Sequence, residues 1–528
     1  MSAVLADELA KTALATYTSI QSKGGKPSHR SNGQPEWTVL AAFCIFRRRQ
    51  CGDGEEWDVR CVSIGTGLKA LPHARLPVHG DVLHDSHAEV IARRGFQLWL
   101  LEELENTGHE EEDSLLHRVD GNKGDVEWQL KEDWRVGLYI STLPCGDAST
   151  YLLAQQAASG DPAATAEAAP DLVLPGGANA EDLPTSSLHP SLSAALSLGL
   201  SISRSSSSCS SPSAPCLPFD EPPPQTVLRG RNNYASLSTL RTKPGRADSP
   251  PTISHSCSDK IAMWSLLGMQ GALLSAVGVG RITAEVIVVG SDGVPEDDEE
   301  REKVRLEVKR AVGGRLETWT KRIGLREAEF RAPEVRWTTR LFGHSRAAVC
   351  EREGVGKEGV AGCAESLSYI ANASPPVEVI TNGIRQGASA KRKAGEALGP
   401  KNRSRLCKLS LFQRYLAVQE KLRDSSIPPP PVSTYFSLKH PPAAFPLSSP
   451  ASAYVLPIIS SLSPVERYTL LKYLVRSKAG SPALLTEGEA AGEGAGDSEA
   501  GPFAAWLISG EQWENFDADG RAVSGAQA

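Results

Sequence analysis

The chain has 528 residues, of which 40% are hydrophobic, so it is long enough for about two to four domains and a sizeable core. Its formal net charge of −7 argues against a protein that simply coats nucleic acid, although a local basic patch could still bind RNA. The ten cysteines are scattered, which argues against a disulfide framework. The sequence contains no apolar run of about 18 residues, which argues against a membrane span. Together with the lack of a leader-like N-terminus, these features favour an intracellular protein of the cytoplasm or nucleus.

The first third of the chain combines helical and strand patterns. An amphipathic helix is predicted at Asp7–Ile20. Buried strands are predicted at Trp37–Phe46 and Trp57–Ile64, joined by a turn into a hairpin. Ala88–Thr107 has apolar residues at helical spacing, and Val136–Ser141 is predicted to be another buried strand.

A long tract rich in Ser, Ala and Pro follows, from residue 157 to residue 224. Such a composition cannot bury enough apolar surface to fold, so we expect a disordered insertion whose deletion leaves activity largely intact. Residues 423–463 and 484–501 are predicted to be flexible for similar reasons.

The remaining chain again alternates strands and helices. Residues 296–303 form a charge run that predicts a solvated loop or a helix start. The other predicted segments are a helix at Cys257–Leu274, strands at Ile282–Gly290 and Val377–Thr381, a helix at Leu406–Leu422, and ordered segments at 464–475 and 503–507. This order of elements predicts one α/β domain over residues 1–528, a three-layer body with a mixed central sheet.

Two short motifs carry a possible chemistry. His87-Ala88-Glu89 opens a predicted helix, and Pro144-Cys145 closes a predicted strand, which together match half of the zinc deaminase signature. A catalytic zinc ion needs three protein ligands and one open position for water, whose pKa it lowers. A carboxylate that is not a ligand must then shuttle the proton. We therefore expect His87 and Cys145 to be zinc ligands and Glu89 to be the proton shuttle.

The third ligand is not where the signature has it, because Ala148 stands three residues after Cys145. Either the motif is false or the third ligand lies elsewhere. Cys257 is the best candidate, since it begins a predicted helix whose N-terminus would stabilise a thiolate. Cys209 and Cys216 lie in the predicted disordered tract and are poor ligands, because positioning them would cost ordering entropy. The alternative is that Cys257 is an ordinary buried thiol and the other motifs are chance matches.

Longer segments resemble the adenosine deaminases that act on RNA. The segments that carry this resemblance are Gly80–Phe96, Tyr139–Ser149 and Ser256–Ser275, with further matches at Ile64–Lys69, Leu240–Pro251, Val377–Gly383 and Ser404–Phe412. A Pro-Cys in one segment and a Ser-Cys-Ser-Asp-Lys in another is that family's own arrangement, which implies that Cys257 completes the zinc site. The resemblance also implies a cytidine-deaminase-like fold, with helices on both faces of the sheet.

Within the family, the chain resembles the tRNA-specific branch, since only about 36 residues precede the first predicted core strand. That branch implies hydrolytic deamination of the adenosine immediately 3′ of the anticodon in an alanine tRNA. It implies tRNA as partner, with neither DNA nor membrane, and a monomer. The alternatives are a deaminase of another RNA or of cytidine, and a catalytically inactive RNA-binding relative.

The resemblance further implies a buried inositol hexakisphosphate, which needs an enclosed basic cage. The implied contacts are Lys69, Arg93, Arg94, Lys260, Trp264, Gln270, Lys408, Tyr468, Lys472 and Trp506. Asp85 is implied to be a relay between Lys260 and the zinc site. Met263 departs from the family, which has an arginine there, so one phosphate contact is missing or replaced.

A basic stretch could contact RNA phosphates, since lysine and arginine supply most of the affinity for the backbone. It consists of Lys391, Arg392, Lys393, Lys401, Arg403 and Arg405. A solvated loop and a nuclear import signal are equally compatible with this pattern. The sequence does not assign the wall of the pocket that would hold a flipped adenosine.

Overall fold

The structure is a computed structural model that describes residues 3–51, 54–107, 114–120, 126–158, 227–230, 236–245, 249–327, 329–423, 434–441, 459, 462–476 and 501–523. The predicted insertion lies outside these ranges from residue 159 to residue 224. Most of the predicted flexible stretches lie outside them as well, but a short helix at Tyr435–Lys439 falls within the stretch 423–463.

A mixed eight-stranded sheet forms the centre of the molecule. In chain order, the strands are β1 (Glu36–Trp37), β2 (Leu40–Cys51), β3 (Gly54–Thr66), β4 (Leu68–Ala70), β5 (Asp85–His87), β6 (Leu116–Asp120), β7 (Val126–Leu130), β8 (Arg135–Thr142), β9 (Val227–Arg229), β10 (Leu240–Thr242), β11 (Ala284–Asp292), β12 (Glu334–Trp337), β13 (Ala361–Gly362), β14 (Glu365–Ile370), β15 (Val377–Thr381) and β16 (Ile384–Arg385). The strand order of the sheet is β12-β11-β8-β2-β3-β14-β15-β16. β11 runs parallel to both β8 and β12, whereas the remaining pairs are antiparallel.

The predicted hairpin is present, but its strands continue beyond their apolar cores. β2 and β3 stay paired from Leu40↔Thr66 to Cys51↔Gly54, with a register shift after Phe43. In the polar extension, the Arg47 Nε lies 3.1 Å from Asp58 Oδ2, directly across the pair. Cross-strand charge pairs of this kind stabilise an antiparallel ladder without apolar side chains, so hydrophobic alternation alone underestimated the hairpin.

Helices cover both faces of the sheet, as predicted for the three-layer α/β fold. In chain order, the helices are α1 (Ala3–Ser19), α2 (Ala88–Asn106), α3 (Asp147–Ala158), α4 (Cys257–Leu267), α5 (Gly271–Ala276), α6 (Asp298–Val312), α7 (Glu317–Arg322), α8 (Arg346–Glu353), α9 (Lys408–Leu422), α10 (Tyr435–Lys439) and α11 (Pro464–Arg476). Alternate residues of β2 point to opposite faces. Phe43 packs in one apolar cluster with Ile91 and Phe96 of α2, and Phe46 packs in another with Leu9 of α1.

The prediction of a single helix at Cys257–Leu274 is wrong, because two short helices, α4 and α5, occupy this segment. Gly268 ends α4 with a φ of 95°, and Gly271 begins α5 with a φ of 71°. These left-handed conformations are costly for residues with a Cβ, so the two glycines allow the break inside an otherwise apolar run. The charge run 296–303 leads into α6, as predicted.

Among the described residues, no helix is both long and apolar enough to cross a membrane.

Candidate active site

The His-Ala-Glu motif lies where a short strand becomes a helix. His87 is the last residue of β5 and the N-cap of α2, and Glu89 lies in the first turn with 4% of its surface exposed. The helix start packs directly on β3 at Gly65, where a Cβ atom would lie 2.4 Å from the Ala88 carbonyl oxygen. The glycine therefore permits the close approach that buries the start of α2.

The two sequence segments that carry Cys145 and Cys257 meet at this position. The Cys257 amide donates to Cys145 Sγ at 3.3 Å, and the Ser258 hydroxyl donates to the Cys145 carbonyl at 2.6 Å. The thiol of Cys257 donates to Cys145 and lowers the pKa of Cys145 to about 6, whereas burial raises the pKa of Cys257 well above its ordinary value. Of the two thiols, Cys145 is the more acidic, and the thiolate expected at Cys257 stays a prediction.

Asp85 orients the imidazole of His87. Its Oδ1 lies 2.8 Å from His87 Nδ1, which leaves Nε2 as the nitrogen available to a metal. Its Oδ2 contacts the Lys260 ammonium, so the Asp85 carboxylate lies between His87 and Lys260, where the resemblance implies a relay. Although burial alone would raise it, the pKa of Asp85 lies well below its ordinary value, because Lys243 and Lys260 stabilise the carboxylate.

Lys243 is a member of this cluster that sequence reasoning missed. Its ammonium lies 2.8 Å from Asp85 Oδ2 and 3.2 Å from Cys257 Sγ, with the side chain 3% exposed. The only sequence signal was its place in the Leu240–Pro251 segment, because a lone lysine in a turn carries no periodic pattern.

The donor types of this cluster suit zinc, which binds thiolate sulfur and imidazole nitrogen. Within the described part of the chain, however, no group of three or more His, Cys, Asp or Glu side chains is arranged to hold a metal ion. In this structure the Cys257 thiol forms a hydrogen bond with Cys145, and the Lys243 ammonium lies beside Cys257. Ala148 is 1% exposed, and its amide donates to Ser258 Oγ, so that position serves packing.

A buried ionic network ties the two cysteine segments together. Asp147 and Asp259 each lie two residues after a cysteine, and both side chains are fully buried. Arg315 Nη2 lies 2.7 Å from Asp259 Oδ1, and its Nη1 lies 3.6 Å from Asp147 Oδ2. Asp147 also accepts from Arg310 at 2.7 Å. The relative position of the thiols is therefore fixed by α6 and the residues that follow it.

A cavity of about 270 Å³ lies beside Asp85. Most of the residues assigned to the inositol phosphate line it: Arg93, Arg94, Lys260, Trp264, Gln270, Lys408, Tyr468 and Trp506. Lys69 does not, because it lies on the exposed face of β4 opposite Ser86. Lys472 does not line it either, since its ammonium donates to the Lys439 carbonyl. Met263 is in the wall, so this position supplies no charge there.

The cavity is surrounded by more buried positive than negative charge. Burial lowers the pKa of Arg93 and Arg476 to about 10 and that of Lys408 to about 8. Among the described residues, the Nε atoms of Arg93 and Arg476 are buried without a hydrogen-bond partner. Such atoms are costly unless an acceptor reaches them, and a polyanion would supply it.

Residues 501–523 contribute a further part of this site, in which sequence reasoning named Trp506 but missed Glu514. Glu514 is fully buried and contacts Lys408 at 2.8 Å, Lys439 and His440. Trp506 stacks on His255 with ring centroids 4.1 Å apart. Lys439 and Arg476, which line the cavity as well, lie in segments without a recognisable motif.

Half of the predicted RNA-contacting stretch is used inside the protein. Arg392 forms two bonds of 2.9 and 3.0 Å with the buried Asp81. Arg403 is 6% exposed and donates to the Leu398 carbonyl, and Arg405 donates to the Pro375 and Pro376 carbonyls. Of the stretch, Lys391, Lys393 and Lys401 are exposed without an internal role of this kind.

Comparison with known proteins gives consistent matches. The tRNA-specific adenosine deaminase 1 of Mus musculus is 29% identical over 477 residues, which cover 80% of this chain and 90% of the mouse protein. The human protein of the same name is 29% identical over 466 residues, covering 78% and 88%. The Saccharomyces cerevisiae protein is 31% identical over 260 residues, covering 49% and 52%.

A family model described as the adenosine-deaminase (editase) domain matches residues 63–446, which include His87, Glu89, Cys145 and Cys257. This match extends over well more than half of the chain. The chain therefore belongs to the adenosine-deaminase (editase) domain family.

Proposed function

We propose that the chain converts adenosine to inosine in a tRNA, at the adenosine immediately 3′ of the anticodon of alanine tRNA. The convergence of His87, Glu89, Cys145 and Cys257 at one strand–helix junction carries this proposal, since these are the residue types that hydrolytic deamination requires. Support for tRNA comes from the three relatives, whose names all specify tRNA.

The chain's own residues divide the chemistry between them. Cys145, Cys257 and the Nε2 of His87 would hold a zinc ion, which when bound lowers the pKa of water. Glu89 accepts a proton from the attacking water and delivers it to the leaving amine at C6 of adenine. Asp85 holds the imidazole through its Nδ1 at 2.8 Å and so keeps the other nitrogen free of a proton.

The cavity beside Asp85 would hold inositol hexakisphosphate as a structural anion. Its cationic wall supports this assignment, because buried guanidinium and ammonium groups need compensating charge. Lys260 connects the cavity to Asp85, so loss of the anion should also affect the orientation of His87.

The decisive experiment is inosine mapping in tRNA incubated with the purified protein. Glu89→Gln should keep the fold and the metal content but lose inosine formation by a factor of at least about 100, the usual contribution of a positioned acid–base group. Glu105→Gln is the matched control, since Glu105 lies on the same helix and pairs with Arg414 near the surface. Full activity of Glu89→Gln would refute the mechanism.

Metal analysis tests the ligand assignment independently. We expect close to one zinc per chain in the wild type and none in Cys145→Ala. Activity on long duplex RNA but not on tRNA would favour a deaminase of another RNA. Tight tRNA binding without inosine and without zinc would favour an inactive RNA-binding relative.

A further inference from the structure

A surface groove of about 660 Å³ lies at the β16 edge of the sheet. Its polar lining comes mainly from the end of β15, from β16 and from the following loop, and includes Arg75, Thr381, Asn382, Arg385, Gln386 and Arg392. Leu71 and Val82 line both this groove and the cavity beside Asp85, so the two spaces are neighbours.

Both walls of the groove are attached to the segment that leads into His87. Asp81 accepts two bonds from Arg392 and one of 2.7 Å from the Leu398 amide, which fixes the loop on one side. The Leu83 amide donates to the Gly383 carbonyl at 2.8 Å, which fixes the turn between β15 and β16. A molecule bound in the groove is thereby held in a defined position relative to the active-site segment.

The charge available in the groove is positive. Arg75 is exposed, and no ion pair joins it to another described residue. Arg385 has only a 3.6 Å contact with Glu378, and that carboxylate already accepts from the Ser404 hydroxyl and the Arg405 amide. The exposed Lys391, Lys393 and Lys401 lie on the loop that forms one wall.

The one acidic side chain among the lining residues is already engaged. Glu365 accepts from the Gly25 amide at 2.7 Å and from the Gln386 side chain. Both donors are neutral, so the carboxylate keeps its charge, but Arg75 and Arg385 together outnumber it.

We propose that this groove binds the phosphodiester backbone of the RNA substrate, a proposal that rests on the proposed function. Guanidinium groups match phosphate geometry, and the neighbouring amide and hydroxyl groups suit phosphate and ribose oxygens. None of the described residues that line the groove is aromatic, so it offers no platform on which bases could stack. The groove accordingly contributes affinity and position and leaves the choice of base to the active site.

The test compares two double variants with matched charge. Arg75→Gln/Arg385→Gln removes both cations from the groove. Arg331→Gln/Arg340→Gln removes two exposed arginines that flank β12, at the opposite edge of the sheet. Steady-state deamination of tRNA and fluorescence anisotropy of labelled tRNA are measured from low to moderate salt, and thermal unfolding verifies that both variants fold.

We expect the groove variant to raise KM and the tRNA dissociation constant about tenfold, with kcat nearly unchanged. The dependence of log affinity on log salt should weaken by about 1.5, since each phosphate contact contributes roughly 0.7 to 0.9. The control should match the wild type in both quantities.

Equal affinity and an equal salt dependence in the wild type and the groove variant would overturn the proposal. The proposal would also be overturned if the groove variant lost binding of an acidic peptide, such as polyglutamate, but kept its affinity for tRNA. If the wild type forms no inosine in tRNA, the proposed function fails, whereas the binding measurement still decides whether the groove holds RNA.

Discussion

Arg315 holds together the two segments that carry the cysteines, so we expect its removal to be costly. In Arg315→Leu, Asp259 keeps its bonds from the Arg241 amide and the Ser256 hydroxyl but loses its ion pair of 2.7 Å. Both side chains of this pair are at most 3% exposed, which leaves a carboxylate in the interior without a cation. Breaking a buried pair in this way costs about 3 to 5 kcal/mol.

Two neighbouring contacts adjust this magnitude. Asp147 keeps Arg310 at 2.7 Å, so its 3.6 Å contact with Arg315 adds little. The Arg315 guanidinium lies 4.9 Å from the centre of the Phe503 ring, and losing that contact adds about 0.5 to 1 kcal/mol. We therefore expect the free energy of unfolding to fall by about 4 kcal/mol.

Urea unfolding followed by tryptophan fluorescence measures this change, provided that the denaturant slope is the same in all variants. Asp259→Asn in the Arg315→Leu background should recover about 2 kcal/mol, because the amide keeps an acceptor for the Arg241 amide without a charge. Arg326→Leu, at an exposed pair with Glu329, is the control and should leave the free energy of unfolding nearly unchanged, because exposed ion pairs contribute little. A cost below 1 kcal/mol for Arg315→Leu, or no recovery in the double variant, would refute the reasoning.

Three further predictions concern other parts of the site. Gly65→Ala should destabilise the protein by about 1 to 3 kcal/mol, because its Cβ would lie 2.4 Å from the Ala88 carbonyl oxygen. Gly343 has open space around it, so Gly343→Ala should be neutral in the same urea titration. Burial alone would raise the pKa of Glu514, but Lys408 and Lys439 hold it well below its ordinary value. The ionised carboxylate therefore stabilises the folded state fully at a pH above the glutamate pKa of the unfolded chain. This stabilisation is lost as the pH falls through the pKa of Glu514 in the folded state. Glu514→Gln should flatten this acid limb of the stability curve, and an equally steep limb would contradict the assignment. Arg476→Ala should lower the inositol phosphate content of the purified protein, measured by mass spectrometry. Lys69→Ala should leave that content unchanged, because Lys69 does not line the cavity. The opposite pattern would contradict the geometry of the cavity.

The secondary structure near the catalytic motifs could be predicted because its signals are local. β8 has an apolar and buried stretch from Val136 to Ile140, and the apolar residues that follow Glu89 recur at helical spacing. The helix break at Gly268 was missed because the surrounding run is apolar enough to predict a continuous helix. The break depends on a tertiary contact: the side chain of Gln270 fills the space in which a Cβ atom of residue 268 would lie.

The ionic part of the site depended on contacts that no local pattern contains. Lys243 reaches Asp85 across 158 residues, and Arg315 joins two segments that are themselves far apart in sequence. Lys69 and Arg403 show why charge and motif position alone do not settle a role. Lys69 is exposed on β4, whereas Arg403 is buried by the packing before α9. Sequence gives the charge of a side chain, whereas its role depends on what surrounds it.

The position of Glu514 in the chain has a consequence for protein synthesis. Residues 501–523 leave the ribosome after every other described residue, yet Glu514 forms ion pairs with Lys408 and Lys439, and Phe516 packs against Gly80. A nascent chain without this segment exposes a cationic cleft next to an unfinished catalytic centre. Closure of the cavity therefore waits until residues 501–523 have been synthesised and have packed against the rest of the chain.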